Sequence, residues 1–139
     1  MNNQKFRVLD YPPTVRDFLR LRREVGWDEI EEAVAKSSLE SSLYHVTVYE
    51  GSALIGMGRI VGDGAMYFYL QDVMVSPAYQ GKGVGGLLME RIEEHLKGCA
   101  VKGSTIGLLA AAGKESFYAR YGYLERTGSY LGLGMCKFI

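Results

Sequence analysis

Four glycines crowd into Gln80-Gly81-Lys82-Gly83-Val84-Gly85-Gly86, between an apolar stretch ending at Val75 and a helical pattern of Val84, Leu87, Leu88, Ile92 and Leu96. A structural turn needs one or two glycines, and a helix start this rich in them is weakened. The spacing favours a ligand instead. The first amide N–H groups of a helix have no intrahelical partner and point outward with the positive end of the helix dipole. Glycines let a bulky anion approach those groups, so the loop reads as a pyrophosphate cradle, with Lys82 adding a full charge. No G-x-x-x-x-G-K-[ST] is present, which disfavours a P-loop. A dinucleotide fold would place such a loop after the first strand of a parallel series. Here it comes mid-chain.

Around the loop, the periodicities predict one α/β domain over residues 1–139. Residues 5–9 alternate as a first strand, closed by Pro12-Pro13. Thr14 is placed to cap a helix to about Glu24, with Val15, Phe18, Leu21 and Val25 on one stripe. Asp28 and Glu31 resemble a capping box that opens a second helix to about Lys36. Residues 42–49, 53–61 and 65–75 read as three antiparallel strands joined by glycine turns. The helix after the loop is expected to end near Lys97-Gly98. A buried strand at 104–110, a short helix at 115–121 and closing strands at 123–126 and 134–139 complete the order.

Lys plus Arg equals Asp plus Glu at 16 each, so no net field recruits nucleic acid or a membrane surface. No apolar run approaches the ~20 residues of a membrane span. The start, Met1 to Arg7, lacks the apolar core of a secretion signal, so a cytoplasmic location is expected. Cys99 and Cys136 form no C-x-x-C pair, and both read as reduced core thiols. His95 and Cys99 are four apart, but Gly98 is expected to end the helix first, and no metal site is expected. His45 lies among apolar residues and reads as packed. Arg16, Arg20 and Arg23 share a helix face that reads as solvated, with Arg20 pairing Glu24. No Ser-His-Asp order or Cys-His pairing points to a covalent acyl-enzyme.

Gln80-x-x-Gly83-x-Gly85 resembles the [RQ]-x-x-G-x-[GA] signature of the GNAT N-acetyltransferase superfamily, preceded by the apolar strand Asp72-Val73-Met74-Val75 and the lead-in Ser76-Pro77-Ala78-Tyr79. Phe117-Tyr118-Ala119-Arg120-Tyr121-Gly122-Tyr123 is similar to that family's second signature, F-Y-x-[KR]-x-G-[FY]. The element order follows the family along nearly the whole chain. The resemblance implies a mixed, mostly antiparallel sheet of six to seven strands with about four helices and splayed central strands. It implies acetyl-CoA as co-substrate and no metal. Val73 and Val75 would bond pantetheine through their main chain, as added peptides bond a sheet edge. The amides of Gly81, Lys82, Gly83, Val84, Gly85 and Gly86, after Gln80, would hold the pyrophosphate. An N–H of the same strand would face the thioester oxygen.

Direct transfer to an amine needs a neutral amine and a proton for the leaving thiolate. An alkyl amine of pKa about 10.4 is neutral in only about one part in a thousand near pH 7.4, a deficit of about 4 kcal/mol. Tyr118 matches the family's tyrosine acid. Many relatives carry Glu or His at the positions of Tyr69 and Gln71, so a water relay held by those two is expected in place of a strong base. Asp72, one place along, should face the opposite side by strand alternation unless a bulge re-aims it. The family's Asn ahead of the second signature has no counterpart in Ala110-Ala111-Ala112-Gly113. The family's acceptor pocket lies at the link between the first two helices, where Trp27 and Asp28 could stack and neutralise a cationic amine. The expected reaction is acetyl transfer to a primary amine of a small molecule in a ternary complex. A protein or peptide amine, a catalytically silent acetyl-CoA sensor and a nucleotide-binding scaffold are the alternatives. C-terminal strand pairing between subunits in relatives points to a homodimer.

Overall fold

Residues 5–139 are described by the computed structural model; the first four, where the polar start begins, lie outside the described residues. Alternating apolar residues build one five-stranded sheet in simple chain order. β1 (Phe6–Leu9), β2 (Tyr44–Glu50), β3 (Ala53–Gly62) and β4 (Tyr67–Val75) are antiparallel neighbours, and β5 (Thr105–Gly107) lies parallel to β4.

Each face of the sheet carries its own core. On one, α1 (Val15–Glu24) and α2 (Glu32–Glu40) bury Phe18, Leu21, Ala35 and Leu39 against Leu54, Met57 and Met74. On the other, α3 (Val84–Cys99) sets Val84, Leu88, Met89, Ile92 and Leu96 against Val46, Val48, Ile55, Ile60, Phe68 and Leu70. Fully burying one such side chain stabilises by about 1.5–3 kcal/mol. Gly56 lets α3 lie close to β3, because a Cβ there would stand 2.8 Å from a Val84 methyl. Thr14 Oγ1 accepts from the Asp17 N–H at 3.1 Å and caps α1, and Arg20 pairs with Glu24 at 2.7 Å, both as expected.

β4 contains the feature that shapes everything downstream. Arg59 pairs with Gln71 and Met57 with Met74, so Asp72 and Val73 together oppose the single residue Gly58. This is a bulge: one extra residue on β4, with Asp72 at φ 56. The side chains change phase across it. Phe68 and Leu70 face α3 before the bulge, Val73 and Val75 pack on that side after it, and Met74 joins the α1/α2 core. Asp72 therefore departs from plain alternation and turns toward α1.

Several boundaries differ from the expectations. α2 opens at Glu32, with Glu31 at its N-cap and no side-chain cap. Asp28 instead gives its carbonyl to Arg22 Nη2 at 2.9 Å, which holds that stretch outside the helix. α3 runs through Gly98 to Cys99, since one interior glycine costs only about 1 kcal/mol against a long buried stripe. His95 and Cys99 thus share the helix, yet no cluster that could hold a metal ion occurs among the described residues. Cys99 is half-buried and Cys136 is exposed, so only the first is near a core.

The closing strands are absent among the described residues. Residues 124–139 are exposed and irregular, and the sheet has five strands, not six or seven. Gly128, Gly132 and Gly134 offer no side chains to pack, and Gly128 turns the chain at φ 89. No helix among the described residues is long and apolar enough to cross a membrane.

Candidate active site

β4 and β5 pair only over Tyr67 to Tyr69 against Thr105 to Gly107. Beyond Tyr69, β4 keeps its β3 partner but has none on the other side. Ser76 donates its N–H to Ile55 on β3 at 2.8 Å. Counting back by twos, the Met74 N–H also faces β3, so those of Val73 and Val75 face the gap. The Val75 carbonyl faces it too, and accepts from Gln80 Nε2 at 3.0 Å. This is an open sheet edge inside the molecule, not at its rim.

The gap widens into a cleft of about 520 Å³. Val73, Val75 and Gln71 line it from β4, Gly81 and Gly83 to Gly86 from the loop and α3, and Tyr118 from α4 (Glu115–Ala119). The loop enters α3 through left-handed backbone at Gly81 (φ 78) and Gly83 (φ 85). Gly83 is the N-cap and uses no side chain, so the first amides of α3 stay available. Nothing lies within 4 Å of where a Cβ would stand on Gly81 or Gly83. A bulky anion fits that cradle, and the unpaired edge beside it fits an amide-bearing chain.

The two signatures meet at this point. A Cβ on Gly85 would lie 3.2 Å from the Phe117 ring, and one on Gly86 would lie 3.9 Å from the Tyr121 hydroxyl. Phe117 packs edge-on against Tyr118 and Tyr121 at 5.0 and 5.8 Å between centroids. Tyr123 donates to Glu93 on α3 at 2.8 Å, which anchors the segment. Tyr118 is half-buried, and its hydroxyl makes no hydrogen bond to the protein among the described residues. Burial raises its pKa above the ordinary tyrosine value of 10.0, so it holds its proton through the neutral range.

Other expected residues stand further off. Lys82 is outside the cleft lining, with its ammonium 5.9 Å over the Tyr79 ring. Tyr69 is also outside the lining, in the paired part of β4. Burial raises its pKa. Gln71 lines the cleft and donates to Asp72 Oδ1 at 3.1 Å. Trp27 lines the cleft, but its ring is partnered by the chain's own Arg22, 5.4 Å from the centroid. Asp28 is exposed and outside the lining.

Sequence reading missed an ionic network under the site. The carboxylate of Asp72 is 2% exposed and accepts from Arg59 Nε at 2.7 Å. Arg59 Nη1 donates to Ser38 O and Ser42 Oγ, and Nη2 to Ser38 Oγ. Asp72 is re-aimed by the bulge, but into this pair, so it is no free base. Only a strand pattern read with its bulge would have brought Arg59 and Asp72 together.

Comparison with known proteins follows the same outline. The acetyltransferase (GNAT) domain profile matches residues 21–132. A Prochlorococcus marinus protein, an uncharacterized N-acetyltransferase, is 33% identical over 79% of this chain and 63% of its own length. A rice protein named serotonin N-acetyltransferase 2, chloroplastic, is 35% identical over 81% of this chain and 58% of its own length. The chain thus spans under two thirds of these relatives. A Staphylococcus aureus crystal structure described as a probable acetyltransferase has a TM-score of 0.87 at 32% identity, covering 96% of this chain and 99% of the other. A GNAT family protein from Streptococcus pneumoniae has a TM-score of 0.74 at 28% identity, over 96% of both chains.

Proposed function

The chain belongs to the GNAT acetyltransferase family, and on that premise we propose that it transfers acetyl from acetyl-CoA to a primary amine of a small molecule. The observation that carries this reading is the run of unpaired backbone at Val73 and Val75, beside a glycine-lined helix start and a half-buried phenol. Bound acetyl-CoA supplies an acyl carbon activated as a thioester, open to direct attack by the amine in a ternary complex. The chain's residues do the rest. N–H groups of Val73 and Val75 bind the donor's amide arm and face the thioester oxygen, where charge develops. The amides of Gly81 to Gly86 hold the diphosphate at the α3 N-terminus. Gln80 ties the loop back to β4 through the Val75 carbonyl. Lys82, off the cleft wall, contributes long-range charge.

Tyr118 keeps its proton until the thiolate leaves, then donates it from the hydroxyl oxygen. The proton lost by the amine passes to water held at Gln71 and the Tyr69 side of β4, because no carboxylate or imidazole is free there. The Trp27 end of the cleft receives the acceptor. A relative named for serotonin, a small amine, supports the small-molecule reading. A soybean relative named a histone acetyltransferase, 31% identical over 78% of this chain, supports a protein amine as the second reading.

Free-thiol release from acetyl-CoA, measured with a panel of small amines and basic proteins, tests the proposal. At least one small amine should raise release well above the buffer rate, and Tyr118→Phe should lower kcat about a hundredfold or more. Release stimulated only by proteins would move the acceptor to the second reading. No stimulation by anything, with acetyl-CoA still bound, would leave a sensor. Binding no tighter than millimolar would discard the donor itself.

A further inference from the structure

Arg22 lies on α1 beside the bulge, with its guanidinium between the rings of Phe18 and Trp27 at 5.8 and 5.4 Å. Its side chain is 17% exposed. A guanidinium carries five N–H donors. Here only Nη2 makes a hydrogen bond, to the Asp28 carbonyl. Nη1 stands 3.7 Å from Asp72 Oδ1, too far for a hydrogen bond, and Nε is buried with no partner. Arg59, by contrast, spends donors from all three nitrogens, and Asp72 is filled by Arg59 and Gln71. Two guanidiniums and one carboxylate line a second cleft of about 180 Å³, whose remaining walls are largely apolar. That lining carries one positive charge in excess. The second cleft shares Gln71 and Asp72 with the main one as wall residues, so the two adjoin at the bulge.

An unsatisfied, desolvated guanidinium is costly unless something accepts from it. Its planar fork matches a carboxylate, and a single negative charge balances the lining. We infer that Arg22 is the anchor for a carboxylate of the acceptor, so that the substrate is an amino carboxylate: its amine faces the thioester gap and its carboxylate sits in the second cleft. This rests on the acetyl-transfer reading and names the substrate class within it.

Trp27, the only tryptophan, reports on Arg22 without any turnover. Straight-chain ω-amino acids of three to six carbons, the alkylamines of equal length and the matching aminoalkyl phosphonates are titrated against Trp27 fluorescence, with and without acetyl-CoA. The same compounds are assayed for thiol release. The inference expects a saturable fluorescence change with amino carboxylates at tenfold or more lower concentration than with alkylamines. It also expects a kcat/KM ratio favouring the carboxylates by tenfold or more. In Arg22→Met that ratio should fall at least tenfold. Arg22→Lys, which keeps the charge but loses the fork, should fall between. A thermal shift with acetyl-CoA checks that each variant is folded. Equal response to alkylamines and amino carboxylates, preference for phosphonates, or a ratio unmoved in a folded Arg22→Met protein overturns it. Carboxylate-dependent fluorescence without thiol release would sustain the anchor and sink the transfer reading instead.

Discussion

Tyr118 and His45 show how differently burial can act on a titrating side chain. Desolvation raises the Tyr118 pKa, so the proton it donates stays in place on either side of neutrality. The alkaline fall of kcat should therefore not begin below pH 10.0, and a pH profile with a tyrosine-like drop near pH 8 would remove Tyr118 from the role. His45 is lowered, by desolvation first and by Arg59 second. Its Nε2–H donates to the Leu39 carbonyl at 3.0 Å, and Nδ1 is buried without a partner. The folded state thus binds its proton more weakly than the unfolded state, whose reference value is 6.5. Stability is fully present above that value and declines as pH falls below it toward the folded value. Urea midpoints at pH 7.5 and 5.5 should separate in the wild type and draw together in His45→Gln. Asp72 is the costliest of the three to disturb. Asp72→Ala leaves Arg59 buried and unpaired, which should cost about 3–5 kcal/mol in urea unfolding.

At the level of elements, the loop and its helix were legible because their chemistry is local. Four glycines in seven residues and a clean apolar stripe need no distant information. Gly83 holds φ 85, a conformation that costs an L-residue about 1–2 kcal/mol. Gly83→Ala should lose about that much stability and weaken acetyl-CoA binding at least tenfold, measured by calorimetry. The start of α2 was not legible. Asp28 and Glu31 have capping-box spacing, but Arg22, six residues back, takes the Asp28 carbonyl, and that competition is invisible in a local pattern. The closing strands failed for a similar reason. Apolar alternation near the C-terminus proposes a strand, but a strand forms only where an edge accepts it, and β5 offers three residues.

For the whole molecule, the order of elements as far as α4 followed from the chain alone, because helix and strand periods set both faces of one sheet, while the pairing of the two separated signatures came from the family resemblance. Phe117 against Gly85 is the contact that joins them. The acceptor side was the least readable part. Trp27 was found, but its partner Arg22 was not, and Asp72 reaches that arginine only through a bulge. Such tertiary pairings leave no trace in spacing.

The extra residue in β4 adds a carboxylate without disturbing the strand beyond it. Gln71 stays opposite Arg59 and Met74 opposite Met57 on either side of the bulge, so deleting Asp72 would restore plain alternation, with Val73 alone opposite Gly58. A protein one residue shorter there should keep the gap and still bind acetyl-CoA in calorimetry, yet lose urea stability as Asp72→Ala does, because Arg59 is left without its buried partner.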